Sequence, residues 1–143
     1  MIQKTPFYSH HINLSAKMVN YAGFLMPIYY KSINEEHNQV REKAGLFDVS
    51  HMGQLIIEGD QVVEYLQKLT TNNISKLSIG KVQYSCIVNQ QGFVLDDLLV
   101  YKISEKKFML VVNAANTNKI IDWLNEHNKF SLRINDITLK NGL

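Results

Sequence analysis

The sequence predicts an α+β fold in which a ferredoxin-like split βαβ domain with an extra strand follows a different N-terminal segment. From Gln54 onward, short apolar segments alternate in the order strand, helix, three strands, helix, strand. The first fifty residues lack this regularity and hold one aromatic stretch and one helical pattern. We therefore expect a domain boundary near residue 51, with an N-terminal segment over 1–50 and an α+β domain over 51–140.

The N-terminal segment is dominated by residues 21–30, which are almost wholly apolar or aromatic. Pro27 within this stretch argues against a continuous helix or a central strand. Ser32 followed by Glu35 matches a capping box and predicts a helix that starts at Ile33 and ends at Gly45. One helix and one aromatic stretch cannot bury their own apolar surface, so we expect this segment to need a partner.

The later elements follow from the period of their apolar residues. Strands are predicted over residues 54–58, 83–89, 93–102, 107–113 and 131–138, and helices over residues 61–70 and 117–127. Asp60 and Asn116 are the expected N-caps of these two helices. The apolar face of the second helix should bury Ile120, Trp123 and Leu124.

Composition limits the classes of partner. Fifteen basic and thirteen acidic residues leave a net charge of +2, which gives no basic stripe for nucleic acid and little attraction to an anionic membrane. Cys86 is the only cysteine, so neither an intrachain disulfide nor a cysteine zinc cluster is possible. The five histidines show no ligand spacing, and no metal is expected. With no signal peptide or apolar span apparent, we expect a cytoplasmic protein.

Asp96 and Asp97 interrupt an otherwise apolar strand, where aspartate is depleted. Because side chains alternate across a strand, the two carboxylates must face opposite sides. One can then serve structure while the other faces a site. The alternative is that both are solubilising charges at an exposed edge, and periodicity alone does not separate these two interpretations.

Residues 48–51 contain the residue types of a hydrolase triad, but neighbours this close cannot easily form the relay. A turn or cap made by Asp48 and Ser50 is the favoured interpretation.

Isolated glycines give no phosphate loop, which disfavours nucleotide-driven chemistry.

Taken together, the segments resemble the T-protein of the glycine cleavage system, a family of tetrahydrofolate-dependent aminomethyltransferases. The motifs that carry the resemblance keep the order and spacing of the family; they are residues 17–30, 36–52 with Ala44-Gly-Leu-Phe-Asp-Val-Ser-His-Met52, 69–73, 84–85, 94–101 and 111–116.

The resemblance implies transfer of an aminomethyl group from the lipoyl arm of the H-protein to tetrahydrofolate, with release of ammonia. The critical acid of the family matches Asp97. Positions that line the folate cavity in the family match Met52, Tyr84, Leu99, Tyr101 and Asn113. Residues 1–50 would be the N-terminal segment of a discontinuous folate-binding domain, and the chain is expected to be an N-terminal portion that is inactive alone.

The sequence is also compatible with three other functions. The chain could belong to another folate-binding branch of the superfamily, such as a demethylase or a tRNA-modification and iron–sulfur assembly protein. It could also be a non-catalytic module that binds folate or a partner. A ferredoxin-like RNA binder is the weakest alternative, because the charge is so mild.

Overall fold

The computed structural model describes residues 2–143, which form two compact units. Unit 1 contains the described residues up to His51 together with Leu139–Leu143, and unit 2 is Met52–Thr138. Within the described residues, no helix is both long and apolar enough to cross a membrane. The elements of unit 1 are β1 (Gln3–Lys4), α1 (Tyr8–Asn13), β2 (Lys17–Tyr21), β3 (Phe24–Tyr29) and α2 (Ile33–Glu42).

The sheet of unit 1 has the order β1-β3-β2, so β3 is its central strand and contains Pro27. The expectation that Pro27 excludes a central strand was therefore wrong. Among the described residues, β1 pairs only with Phe24 and Leu25, which leaves that edge of β3 open at Pro27. On the other side, the register with β2 shifts between Lys17 and Met18, beside the proline. The missing N–H of Pro27 is thus accommodated at an irregular, half-open position.

The predicted capping box of α2 was also wrong. Ser32 occupies the N-cap position, but its side chain makes no capping hydrogen bond. Instead, Oε1 of Glu36 accepts the backbone N–H groups of Tyr30 and Lys31 at 2.7 and 2.8 Å. The helix ends at Glu42 rather than at Gly45, and none of its residues is buried.

Unit 2 is an α+β domain whose five strands are all paired antiparallel, in the order β5-β6-β7-β4-β8. The chain runs from β7 through the second helix of the unit to β8, and β4 lies between these two strands. This arrangement is a split βαβ unit. The predicted fold class is confirmed. Its elements are β4 (Gly53–Glu58), α3 (Val62–Leu69), β5 (Val82–Val88), β6 (Val94–Ser104), β7 (Lys107–Val112), α4 (Thr117–Glu126) and β8 (Arg133–Asp136).

The core of unit 2 lies between the sheet and the two helices, which pack on the same sheet face. Leu66 of α3 and Leu124 of α4 are fully buried in one cluster with Leu98 and Val100 of β6. Trp123 was expected in this core but is only partly buried against it.

Two predicted N-caps have other roles. Gln61 takes the N-cap position of α3, while Asp60 forms an exposed ion pair with Lys106. Asn116 occupies the N-cap position of α4 but makes no capping hydrogen bond. Its side chain instead donates to the carboxylate of Asp96.

Candidate functional site

The two aspartates of β6 have opposite environments. Asp96 is buried, with 5% of its surface exposed, whereas Asp97 is exposed. Asp96 lies on the side of the strand that carries the buried Leu98 and Val100, as alternation requires. β6 is an interior strand of the sheet, between β5 and β7. The interpretation of both residues as solubilising charges at an edge is therefore wrong.

The sheet face opposite the helices of unit 2, which we call the site face, gathers several of the predicted site residues. Directly opposite residues of antiparallel strands point to the same side. Tyr84 is opposite Leu99, and Cys86 is opposite Asp97. Tyr101 follows at the next position of the same side of β6. The site face thus carries Asp97, Tyr84, Leu99 and Tyr101.

The two remaining predicted residues lie at one end of this sheet. Gly53 and Val112 are paired at the start of β4 and the end of β7. Met52 immediately precedes that pair, and Asn113 immediately follows it. Both side chains are half-buried. The structure therefore places Met52 and Asn113 at the same end of the neighbouring strands β4 and β7, and Asn113 contacts Asp96 and Asp97 near the start of β6.

The carboxylate of Asp97 is held from two sides. Nδ2 of Asn113 donates to Oδ1 at 2.9 Å, and the hydroxyl of Tyr84 donates to Oδ2 at 3.0 Å. The hydrogen bond to Asp97 raises the pKa of the Tyr84 hydroxyl, with further contributions from desolvation and from the negative charge of that carboxylate. Because a carboxylate offers about four acceptor positions, it can still accept from a ligand.

Asp96 accepts three hydrogen bonds, all from the segment that leads from β7 into α4. Its Oδ1 accepts from Nδ2 of Asn113 and from Nδ2 of Asn116, both at 2.8 Å. Its Oδ2 accepts from the backbone N–H of Asn113 at 3.0 Å. Burial of a carboxylate is tolerated when it is hydrogen-bonded in this way. The side chain of Asn113 consequently touches both aspartates.

Sequence reasoning missed the role of Asn116 and the contact between Asn113 and Asp96. The available signal was the spacing of the two asparagines, three residues apart and directly after a strand, with two aspartates on the neighbouring strand. Within the described residues, no group of three or more histidine, cysteine, aspartate or glutamate side chains could hold a metal ion.

Unit 1 contains a second polar cluster, around Asp48. Its Oδ1 accepts the backbone N–H of Ser50 at 2.9 Å, so the predicted turn of Asp48 and Ser50 is confirmed. Its Oδ2 accepts from the hydroxyl of Thr5 and contacts Nε2 of His11, at 2.7 and 2.8 Å. Nδ1 of His11 lies 2.8 Å from the hydroxyl of Tyr30. Burial alone would raise the pKa of Asp48, but the hydrogen bonds from Ser50, His11 and Thr5 together lower it.

His51 does not join that cluster through a hydrogen bond. Its ring makes edge contacts with Tyr21 and Phe24, at centroid distances of 5.4 and 6.4 Å. Its buried Nδ1 has no hydrogen-bond partner within the described residues. Burial lowers the pKa of His51, although the charge of Asp48 opposes this change. The residue types of a triad are therefore present without its relay.

Comparison with known proteins gives one consistent result. Residues 7–142 match the family model described as the GCVT N-terminal domain. The chain is 44% identical over 143 residues to the aminomethyltransferase of Pseudothermotoga lettingae, covering 99% of the chain and 40% of that protein. It is 52% identical over 126 residues to the aminomethyltransferase of Aquifex aeolicus, covering 88% of the chain and 35% of that protein.

A solved structure agrees with these relatives. The crystal structure of the glycine cleavage system aminomethyltransferase T from Bartonella henselae superposes with a TM-score of 0.90 at 33% identity. The match covers 96% of the present chain and 39% of that protein. The chain thus spans about two fifths of the length of these relatives. The match to the family model over nearly the whole chain shows that it belongs to the GCVT N-terminal domain family.

Proposed function

We propose that this chain supplies the catalytic carboxylate of a tetrahydrofolate-dependent aminomethyltransferase of the glycine cleavage system. The observation that carries the proposal is the position of Asp97, held by Asn113 and Tyr84 on the sheet face that also presents Leu99 and Tyr101. The names of its relatives support the same reaction.

The proposed reaction replaces the C–S and C–N bonds of one methylene carbon with two new C–N bonds. In the donor, a lipoyl group carried by the H-protein, this carbon is bonded to sulfur and to an amine. Both bonds break as the carbon forms bonds to two nitrogens of tetrahydrofolate. The two protons lost from those nitrogens complete the lipoyl thiol and ammonia. The products are methylene-tetrahydrofolate, ammonia and dihydrolipoyl H-protein.

Asp97 has a physical role in this exchange because the carbon becomes cationic and iminium-like between its old and new bonds. A fixed carboxylate nearby lowers the energy of that state. The two hydrogen bonds on Asp97 hold the carboxylate before the substrate arrives, so little reorganisation is needed at the moment of reaction. Asp97 can also accept a hydrogen bond from the pterin and align the attacking nitrogen.

The remaining site residues are assigned to binding of the acceptor substrate. Tyr84, Leu99 and Tyr101 offer a flat apolar and aromatic surface on the site face, which suits a planar heterocycle. Met52 and Asn113 would border this surface at the end of β4 and β7. Tyr84 is 60% exposed, so its ring is available for contact with a ligand.

The organisation of the chain suits the same assignment. Unit 1 combines residues from both ends of the chain, as a segment of a discontinuous folate-binding domain would. The single cysteine fits a reducing compartment, and we place the protein in the cytoplasm. The H-protein is the proposed partner, and the low net charge gives no support for a nucleic acid partner.

The test supplies the portion that the chain does not span. The purified chain would be mixed with the remaining part of a relative's aminomethyltransferase, aminomethyl-lipoyl H-protein and tetrahydrofolate. Formation of methylene-tetrahydrofolate and ammonia in equal amounts is expected, and Asp97→Asn should abolish most of it. Asp122→Asn, the same change at an exposed position of α4, is the matched control and should retain activity. Product formation that is independent of Asp97 would contradict the proposal.

A further inference from the structure

Asp96 and Asp97 both accept a hydrogen bond from the side chain of Asn113, but one carboxylate is buried and the other is exposed. Nδ2 of Asn113 donates both to buried Asp96 and to exposed Asp97. The backbone carbonyl of Asp97 also accepts from Nδ2, at a longer 3.3 Å. Asp96 additionally accepts from the backbone N–H of Asn113, so its side chain holds this residue at two atoms. Water competes for the exposed carboxylate but not for the buried one. The stronger constraint on Asn113 therefore comes from Asp96.

Building on the proposed function, we propose that Asp96 is a positioning residue that acts on Asp97 through Asn113. An asparagine amide has one donor end and one acceptor end. If it turned over, its oxygen would face the carboxylates of Asp96 and Asp97 and repel both. Asp96 excludes this orientation from inside the fold, and it thereby keeps an N–H group directed at Asp97.

Asn116 completes the arrangement. Asn116 lies in the first turn beyond β7, and its Nδ2 donates a hydrogen bond to Oδ1 of Asp96. The buried carboxylate is therefore anchored to two asparagines that are three residues apart. Within the described residues, no lysine, arginine or histidine forms an ion pair with Asp96. The groups that donate to its carboxylate are the N–H groups of Asn113 and Asn116. A cation in that place would also neutralise the carboxylate, but it would not select one orientation of the Asn113 amide.

A purely structural role for Asp96, as an anchor for the turn into α4, makes a different prediction. Thr117 provides a comparison, because its hydroxyl donates to the backbone carbonyl of Asn113 at 3.2 Å. Thr117→Val removes that hydrogen bond and loosens the same turn, while the contact between Asn113 and Asp96 remains. If Asp96 only stabilised the turn, Asp96→Asn and Thr117→Val would have the same consequences for Asn113.

The first measurement is hydrogen exchange of the Asn113 side-chain amide by NMR in the full chain. In the wild type, these protons should exchange much more slowly than those of exposed Asn118. Asp96→Asn should accelerate their exchange by roughly tenfold or more. Asp97→Ala should leave them protected, because Asp96 still holds Asn113, and Thr117→Val should do the same.

The difference in amide exchange between Asp96→Asn and Asp97→Ala tests the proposal without any measurement of enzyme activity. An unprotected Asn113 amide in the wild type would overturn it, even if Asp96→Asn failed to fold. Protection that is lost in Asp97→Ala but kept in Asp96→Asn would overturn it as well. The exchange data stand even if the complemented enzyme proves inactive, in which case only the proposed function fails.

The second measurement uses the complemented enzyme. Asp96→Asn should lower kcat by roughly tenfold and change KM for tetrahydrofolate by a smaller factor, because Asp96 lies on the opposite side of β6 from the site face and acts only through Asn113 and Asp97. Thr117→Val should change neither constant appreciably. Equal falls in kcat for Asp96→Asn and Thr117→Val would assign Asp96 to the stability of the turn and reject the positioning role.

Discussion

The hydroxyl of Tyr84 donates a hydrogen bond to Oδ2 of Asp97 across the paired strands β5 and β6, at 3.0 Å. The two residues are not directly opposite each other, because Tyr84 is paired with Leu99 and Cys86 with Asp97. The contact is therefore diagonal, and it uses the length of the tyrosine side chain. It joins an exposed aromatic ring to the proposed catalytic carboxylate.

This contact predicts a change in the titration of Tyr84. The hydrogen bond to Asp97 raises the pKa of the phenol above its ordinary value of 10.0. Asp97→Asn removes the negative charge, so the pKa of Tyr84 should fall toward 10.0. Selective ¹³C labelling of the tyrosine rings would follow the titration in the full chain, with Asp122→Asn as the control. An unchanged pKa of Tyr84 in Asp97→Asn would show that the hydrogen bond is not populated in solution.

The proposed reaction predicts unequal effects of substituting the two aspartates. In the complemented enzyme, Asp97→Asn should lower the turnover rate on the order of a hundredfold, which corresponds to roughly 3 kcal/mol of lost electrostatic stabilisation. Asp96→Asn acts only through Asn113, so the turnover rate should fall by only roughly tenfold. Steady-state kinetics on folded variants would measure both, and equal losses would remove the assignment of Asp97.

The chain by itself should bind tetrahydrofolate weakly and transfer no carbon. Tyr84 and Asp97 lie in the open on the site face, so a bound pterin would bury little of its surface there. Ligand sites normally enclose most of the ligand surface. Titration calorimetry with the purified chain should show binding weaker than that of the complemented enzyme. Equally tight binding in both samples would contradict this prediction.

The partly buried ring of His51 predicts a loss of stability on mild acidification. Burial lowers its pKa below the ordinary value of 6.5, so the unfolded state takes up a proton first as the pH falls. The contribution of neutral His51 to the free energy of unfolding is fully present well above pH 6.5. It declines as the pH falls from 6.5 toward the pKa of His51 in the folded state. Tm measured between about pH 7.5 and 5.5 should decrease. In His51→Phe, which keeps an aromatic ring beside Tyr21 and Phe24, the decrease should be smaller. An identical pH dependence in the two proteins would show that His51 does not carry the effect.

Hydrogen exchange should separate the two units. α2 of unit 1 has no buried residue, and its amides should exchange rapidly. β6 is paired on both sides and contributes buried residues to the core, so amides from Leu98 to Tyr101 should exchange slowly. Exchange measured on the full monomeric chain would test this. Uniformly slow exchange in both units would mean that the N-terminal elements are held more firmly than their exposure indicates.

The elements of unit 2 could be predicted because each has a clear apolar period. β4, α3 and α4 lie within one or two residues of their expected bounds, and the Asp96–Asp97 pair follows the alternation of β6. The N-terminal elements were harder to predict. β1 and α1 are short, and Pro27 is tolerated in a central strand because β1 ends after two residues and the register with β2 shifts beside the proline. That outcome depends on pairing between segments that are distant in the sequence.

The candidate site was predictable in its residue types but not in its connections. The apolar surroundings of the two aspartates indicated that their environments differ. The spacing of Asn113 and Asn116 after β7 was a signal for their contact with the aspartates, but it did not decide whether Asn116 would cap α4 or turn toward Asp96. Likewise, the pairing of His11 with Asp48 spans 37 positions and follows from the fold alone.

The adjacency of Asp96 and Asp97 makes the chemistry of this sheet depend on strand parity. An insertion of one residue between Leu95 and Asp96 would exchange the faces of everything after it, and it would place the Asp97 carboxylate among the leucines beneath the helices. The same insertion in the turn over residues 89–92, where Gly92 already adopts a positive φ of 84°, would lengthen a surface loop and leave the parity intact. Changes in length near this site should therefore be tolerated or destructive according to whether they fall in the loop or in the strand, with few intermediate cases.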